Sequence, residues 1–221
     1  MKSKKPVIEL PSGAVVAGVD EAGVGALAGP VVAAAVVLNP VAPAGRLKDS
    51  KLLSPSQREH LAAEIKTYAV AWSIAFVAHT VVDSINILQA RLYAMRLAVE
   101  RLAIRPDQAL IDGDRLPAPF GIELKAIVDG DDLVPEISAA SILAKTARDA
   151  WMERAAIEYP GYGFEKHFGY STEAHKAALE RLGPCAIHRR TYEPVRNSET
   201  LFGSSPGLTD AETIEMRYVD K

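Results

Sequence analysis

Residues 14–20, Ala-Val-Val-Ala-Gly-Val-Asp, are almost wholly apolar and read as a buried strand ending in an acid. A glycine-rich turn follows, and the apolar run 31–38 predicts a second strand. Ser54-Pro55-Ser56-Gln57 marks a helix start, with Ser54 as N-cap, Pro55 in the first turn and Gln57 closing a capping box, so a helix is expected to about Thr67. Aromatic and β-branched content over 68–78 predicts a third strand. From Thr80 to Ala103, Ile85, Leu88, Leu92, Met95 and Val99 recur at helical spacing, which predicts one long helix closed by Pro106. Ala109-Leu110-Ile111-Asp112 is a short buried strand that again ends in an acid, and residues 123–128 form another. Two helices complete the pattern, at about Pro135–Tyr159 and Thr172–Leu182, the second stopped by Gly183-Pro184.

The order is β-β-α-β-α-β-β-α-α. It predicts an α/β fold with a mixed five-stranded sheet flanked by helices, strands one and two pairing antiparallel, and a small helical extension at the C-terminal end. Residues 1–13 are expected to be a flexible N-terminus and 14–196 one domain. From Asn197 the chain turns acidic, with Glu199, Asp210, Glu212, Glu215 and Asp220 against Arg217 and Lys221, and is expected to be a flexible tail. Composition adds limits. At 48% hydrophobic the chain suits a soluble globular protein. The single cysteine, Cys185, excludes an intrachain disulfide and favours a cytoplasmic home. The basic Met-Lys-Ser-Lys-Lys start lacks an apolar stretch of signal-peptide length, and the longest apolar run is too short to span a bilayer, so no membrane association is expected. Nothing marks a symmetric interface, so a monomer is expected. The net charge of −3 argues against a non-specific nucleic-acid coat, though basic residues and three histidines gather between Gly161 and Arg196.

Candidate chemistry lies at the strand ends. Asp20 and Glu21 follow one apolar strand and Asp112 ends another. Any one of them alone reads as a turn former. The helix after Pro135 is mostly Ala, Ile and Leu, yet Ser138, Ser141, Lys145 and Asp149 fall in a narrow arc on it. A polar stripe on a buried helix needs partners. One reading is a Lys145–Asp149 pair one turn apart; the other brings Asp149 to Asp20, Glu21 and Asp112. Clustered carboxylates call for hard cations, magnesium or manganese rather than zinc. The segment Gly23-Val24-Gly25-Ala26-Leu27-Ala28-Gly29-Pro30 lets backbone amides approach a phosphate or sugar, or simply joins two strands. Its spacing is not that of a dinucleotide fingerprint, and a strand follows it instead of a helix.

Longer motifs carry a resemblance. Gly18-Val19-Asp20-Glu21-Ala22-Gly23, Leu27-Ala28-Gly29-Pro30-Val31-Val32, Asp49-Ser50-Lys51-Leu52-Leu53-Ser54 and Ile85-Asn86-Ile87-Leu88-Gln89-Ala90 occur in order. Leu110-Ile111-Asp112-Gly113, the run Ile137 to Lys145, Tyr159 to Phe164 and His188-Arg189-Arg190 follow. Together they resemble ribonuclease HII from about residue 14 to 196. The resemblance implies an RNase H-like fold and an endonuclease that cuts the RNA strand of RNA–DNA hybrids and cuts 5′ of ribonucleotides embedded in duplex DNA, leaving 5′-phosphate and 3′-hydroxyl ends. It implies a centre of Asp20, Glu21, Asp112 and Asp149 holding two manganese or magnesium ions. Gly23, Val24 and Gly25 would read the ribose 2′-hydroxyl. Tyr170 would pack on a sugar, and Ser50, Lys51, Arg189 and Arg190 would position phosphates.

The sequence departs from that family at three places. Val24 stands where Arg or Lys is usual, Asp114 where Asn is usual, and Asp129 where a small or basic residue is common. Each makes the expected substrate surface less positive. A catalytically weakened hybrid-binding protein of the same fold is therefore the competing reading, favoured by Val24 and opposed by the intact acids. A nucleotide-binding α/β protein is the third, opposed by the absence of a Gly-Lys-Ser/Thr element.

Overall fold

The computed structural model describes residues 13–40 and 54–202. Five strands form one mixed sheet: β1 (Val16–Ala22), β2 (Val31–Val37), β3 (Ala71–Val77), β4 (Gln108–Asp112) and β5 (Glu123–Ile127). Their spatial order is β3-β2-β1-β4-β5. The β1–β2 and β2–β3 pairs are antiparallel, while β1–β4 and β4–β5 are parallel. The helices are α1 (Pro55–Tyr68), α2 (His79–Ile85), α3 (Ile87–Glu100), α4 (Gly130–Leu133), α5 (Pro135–Glu158), α6 (Phe164–His167), α7 (Glu173–Leu182) and α8 (Glu193–Phe202). The mixed five-stranded sheet and its flanking helices are as the sequence pattern requires. Among the described residues no helix is long and apolar enough to cross a membrane.

The core has two layers, one on each face of the sheet. Strand β2, Val-Val-Ala-Ala-Ala-Val-Val, is buried throughout. Its Val31, Ala33 and Ala35 pack with Ala90, Ala94, Met95 and Val99 of α3. Its Ala34 and Val36 pack with Leu61 and Ile65 of α1 and with Ala139, Ala140 and Leu143 of α5. This alternation is the two-residue period of a strand buried on both faces. The small side chains let α5 lie close. At Gly18 a Cβ would come within 2.1 Å of the Glu136 carbonyl carbon and 2.2 Å of the Ile137 nitrogen. Both are backbone atoms and cannot rotate away. Gly18→Ala is therefore expected to destabilise the fold by on the order of 3 kcal/mol, a urea-unfolding measurement, by lifting α5 from β1.

Three local expectations are corrected. The helix expected over Thr80–Ala103 is two helices, broken at Asn86, whose φ of 64° is left-handed and whose side chain accepts from the Gln89 amide as N-cap of α3. The apolar period runs through the break, so the pattern hides it. Asp20 and Glu21 lie within β1, which continues to Ala22. The chain beyond Arg196 is not tail at once: α8 carries the fold to Phe202, with Ser198 buried and bonded to the Val195 carbonyl. The capping box at Ser54 is present in full.

Candidate active site

The parallel β1–β4 register pairs Val19 with Ile111. One residue on, Asp20 and Asp112 therefore stand side by side on the same face, since their predecessors share the opposite, α3-facing cluster. Asp20 accepts a hydrogen bond from Ser141 of α5 and one, 2.7 Å long, from the Glu21 amide. Burial, reinforced by the charges of Glu21 and Asp112, raises its carboxyl well above the usual range. Glu21 points the other way, toward Arg91 of α3 at 3.6 Å. Burial raises it too, Arg91 opposes the rise and Asp112 adds to it. Its Oε2 is buried with no hydrogen-bond partner. Asp112 is held by the Gly130 amide at 2.8 Å, at the first residue of α4.

Asp149 does not join these three. It accepts from Lys145 at 2.6 Å and faces Arg58 at 3.7 Å. It lies two helical turns beyond Ser141, about 12 Å along α5 at the standard rise, and lines a separate small cleft with Glu153 and Thr146. The local pair is what the polar stripe on α5 forms. Nearer to Asp112 along the chain is Asp131, in the first turn of α4, the residue after the glycine whose amide binds Asp112, and 9% exposed. The sequence signal was Asp129-Gly130-Asp131-Asp132, an acidic run before the buried helix. Among the described residues no group of three or more His, Cys, Asp or Glu side chains is arranged so that it could hold a metal ion. Hard cations of this kind keep several waters and take few carboxylates. The unpartnered Glu21 oxygen and the raised Asp20 carboxyl suit such an ion.

A cavity of about 480 Å³ opens beside the acids. Its lining includes Glu21, the glycine turn Gly23–Gly25, Tyr170, Arg58, and Ser141 and Lys145 of α5. Tyr170 reaches it because residues 168–170 are bonded to the glycine turn, through the Ala26–Tyr170 bridge and the Leu27 amide on the Gly169 carbonyl at 2.8 Å. Lys145 lies over the rings of Phe168 and Tyr170, at 4.8 and 5.5 Å. Of the expected phosphate contacts, Ser50 and Lys51 fall outside the described residues. Arg190 is exposed, its amide fixed by Asp83. Arg189 is corrected: it is wholly buried and donates to the carbonyls of Gly23, Val24 and Gly29, so it holds the turn from within.

With this geometry in view, the family model described as Ribonuclease HII matches residues 17–195. A protein named Ribonuclease HII from Burkholderia mallei (strain SAVP1) is 53% identical over 190 residues, covering 86% of this chain and 88% of that one. Another of the same name from Polaromonas sp. is 49% identical over 195 residues, covering 88% and 98%. Among solved structures, the ribonuclease H2 from Pyrococcus horikoshii OT3 superposes with a TM-score of 0.73 at 29% identity, covering 85% of this chain and 98% of that one.

Proposed function

The chain belongs to the ribonuclease HII family and is a ribonuclease H acting on RNA–DNA hybrids, and on that premise we propose that it also cuts 5′ of single ribonucleotides in duplex DNA, at a two-metal centre built on Asp20, Glu21, Asp112 and Asp131. The observation that carries this is the side-by-side placement of Asp20 and Asp112, with the unpartnered Glu21 oxygen next to a cavity walled by the glycine turn. Magnesium or manganese ions, when bound, supply an activated water and a counter-charge for the leaving 3′-oxygen. The remaining work belongs to the chain. Asp20, oriented by Ser141 and the Glu21 amide, and Asp112, oriented by the Gly130 amide, are fixed before substrate arrives. Gly23, Val24 and Gly25 read the 2′-hydroxyl, and Tyr170 packs on the adjoining sugar. Lys145, Arg58 and Arg190 face phosphates, with Ser50 and Lys51 assigned the same task. The enzyme acts as a cytoplasmic monomer, leaving 5′-phosphate and 3′-hydroxyl ends.

The test is cleavage of a DNA duplex with one embedded ribonucleotide, under magnesium or manganese. A cut on the 5′ side of the ribonucleotide is the expected result. A folded protein that binds this duplex and cuts neither it nor a long hybrid would point to the weakened hybrid-binding reading that Val24 favours. Val24 removes one positive charge from the cavity wall relative to the usual basic residue. Val24→Arg is expected to tighten hybrid binding by about threefold to tenfold at moderate salt and to steepen its salt dependence by about one phosphate contact, measured by fluorescence anisotropy.

A further inference from the structure

Arg148 of α5 and Arg189 are each 0% exposed. Among the described residues neither has a carboxylate within ion-pair range. Their donors end on backbone instead. Arg148 donates to the carbonyls of Pro30 at 3.0 Å, Ala28 at 3.1 Å and Phe168 at 3.0 Å. Arg189 donates to those of Gly23 at 2.7 Å, Val24 at 2.9 Å and Gly29 at 3.1 Å. Tyr192 joins, accepting from Arg189 and donating to the Val24 carbonyl at 3.0 Å. Five carbonyls between Gly23 and Pro30 are thus turned toward two buried cations. Gly23 itself lies against Arg148, where a Cβ would meet Nε at 2.0 Å, and its φ of 92° suits glycine. The Arg148 guanidinium also faces the Tyr170 ring at 5.0 Å.

Two buried cations with no carboxylate in direct contact, Asp149 and Asp83 acting on them only from longer range, are costly, and carbonyl dipoles offset only part of the charge. Burial lowers the Arg148 group to about 10, with Tyr170 and Asp149 opposing the fall and the charge of Arg189 adding to it, so it stays protonated at neutral pH. The peptide groups whose Gly23 and Val24 carbonyls point inward carry their N–H ends, on Val24 and Gly25, the other way, whereas the Gly29 amide is taken by the Ile187 carbonyl and Pro30 has none. Low-dielectric surroundings let the residual positive potential reach the cavity wall. We propose that Arg148 and Arg189 are paired positioning residues that template the Gly23–Pro30 turn and charge it from beneath, so that its outer face takes the sugar–phosphate backbone of a nucleic acid strand without a basic side chain at position 24. This rests on the cavity being the substrate site.

The test uses the full chain, free of metal so that nothing is cut. Binding of a labelled RNA–DNA hybrid and of a DNA duplex of the same sequence is followed by anisotropy across a salt series. The unmutated chain should prefer the hybrid; if it does not, the substrate reading itself fails. Arg148→Lys and Arg189→Lys keep the charge but lose the planar fork. Each should weaken hybrid binding by about tenfold and narrow the preference over DNA. Arg148→Met, which also loses the charge, should flatten the salt dependence as well. Folded variants that bind hybrid and duplex like the unmutated chain would overturn the inference. An independent arm needs no substitution: titrating the unmutated chain with inorganic phosphate should move the Val24 and Gly25 amide resonances saturably, and static signals would overturn the inference whatever the variants do.

Discussion

Asp20→Asn is expected to lower cleavage of an RNA–DNA hybrid at least about a thousandfold, some 4 kcal/mol of barrier, while hybrid binding without metal changes little. The substitution keeps the shape and the Ser141 contact but removes a charge from the centre where Asp20 and Asp112 stand side by side. Asp131→Asn should fall in the same way, and Asp149→Asn should remain within about tenfold of the unmutated enzyme, because Asp149 is occupied by Lys145 and Arg58 two turns away. Calorimetric titration with manganese gives a second reading: heat of binding lost with Asp20→Asn and Asp131→Asn, kept with Asp149→Asn. The reverse pattern for the last two variants would return Asp149 to the centre and remove Asp131 from it.

That contrast marks what the sequence could reveal. Strand acids are legible because a carboxylate that closes a buried apolar run stands out from it, even where, as at Asp20, the strand runs on past it, and the parallel register then aligns Asp20 with Asp112. Asp149 is misleading because helical periodicity fixes the face of a residue and says nothing of its height along the axis. Ser141 and Asp149 share a stripe on α5, but only Ser141 is level with Asp20. Asp131, which we propose for the centre, is hard to find for the opposite reason: it sits on a four-residue helix too short to have a period. Arg189 beside Arg190 reads as a surface pair, and only the fold shows that one is buried under the glycine turn while the other is exposed. Long-range contacts of that kind, such as Arg189 to Gly23 across the chain, leave no local trace.

The basic, histidine-bearing stretch carries the last expectation, a loss of stability in acid. His175 and His188 are both wholly buried and share a hydrogen bond of 3.0 Å between their Nε2 atoms. The other partners fix the direction of the chain. His175 Nδ1 meets the Tyr170 carbonyl, so it donates there and its Nε2 accepts. His188 then donates from Nε2, and its Nδ1 accepts from the Cys185 amide at 3.0 Å. The Cys185 thiol also lies 3.1 Å from that nitrogen and, pushed up by burial to about 11, stays protonated. His167, stacked on His175 at 4.5 Å, likewise pairs Nε2 with the Tyr162 carbonyl and accepts at Nδ1 from the Gly169 amide. The bonds of His175 and His188 therefore need neutral rings, and a proton on His175 would set two N–H donors face to face. Burial accordingly lowers His175 to about 4 and His188, with the charge of His175 adding to it, to about 3, from an ordinary 6.5. With folded values below the unfolded one, the unfolded chain binds more protons in acid, so this stability is full above about pH 6.5 and is lost as pH falls toward the folded values. Near pH 5 the loss is on the order of 2 kcal/mol per ring, about 4 kcal/mol if the two act independently. Asp20 and Glu21, whose carboxyls are raised, work in the opposite direction and offset part of it. Trp151 packs against the cluster that includes Phe164 and Ile187, so in a Trp72→Phe variant its fluorescence reports on this end of the molecule. Urea midpoints by that signal should drop between pH 7.5 and 5, and an unchanged midpoint would mean that the rings take up protons without breaking the chain. Because that chain ends on the Tyr170 carbonyl, the same protonation loosens the wall of the cavity, and hybrid affinity is expected to fall with the midpoint.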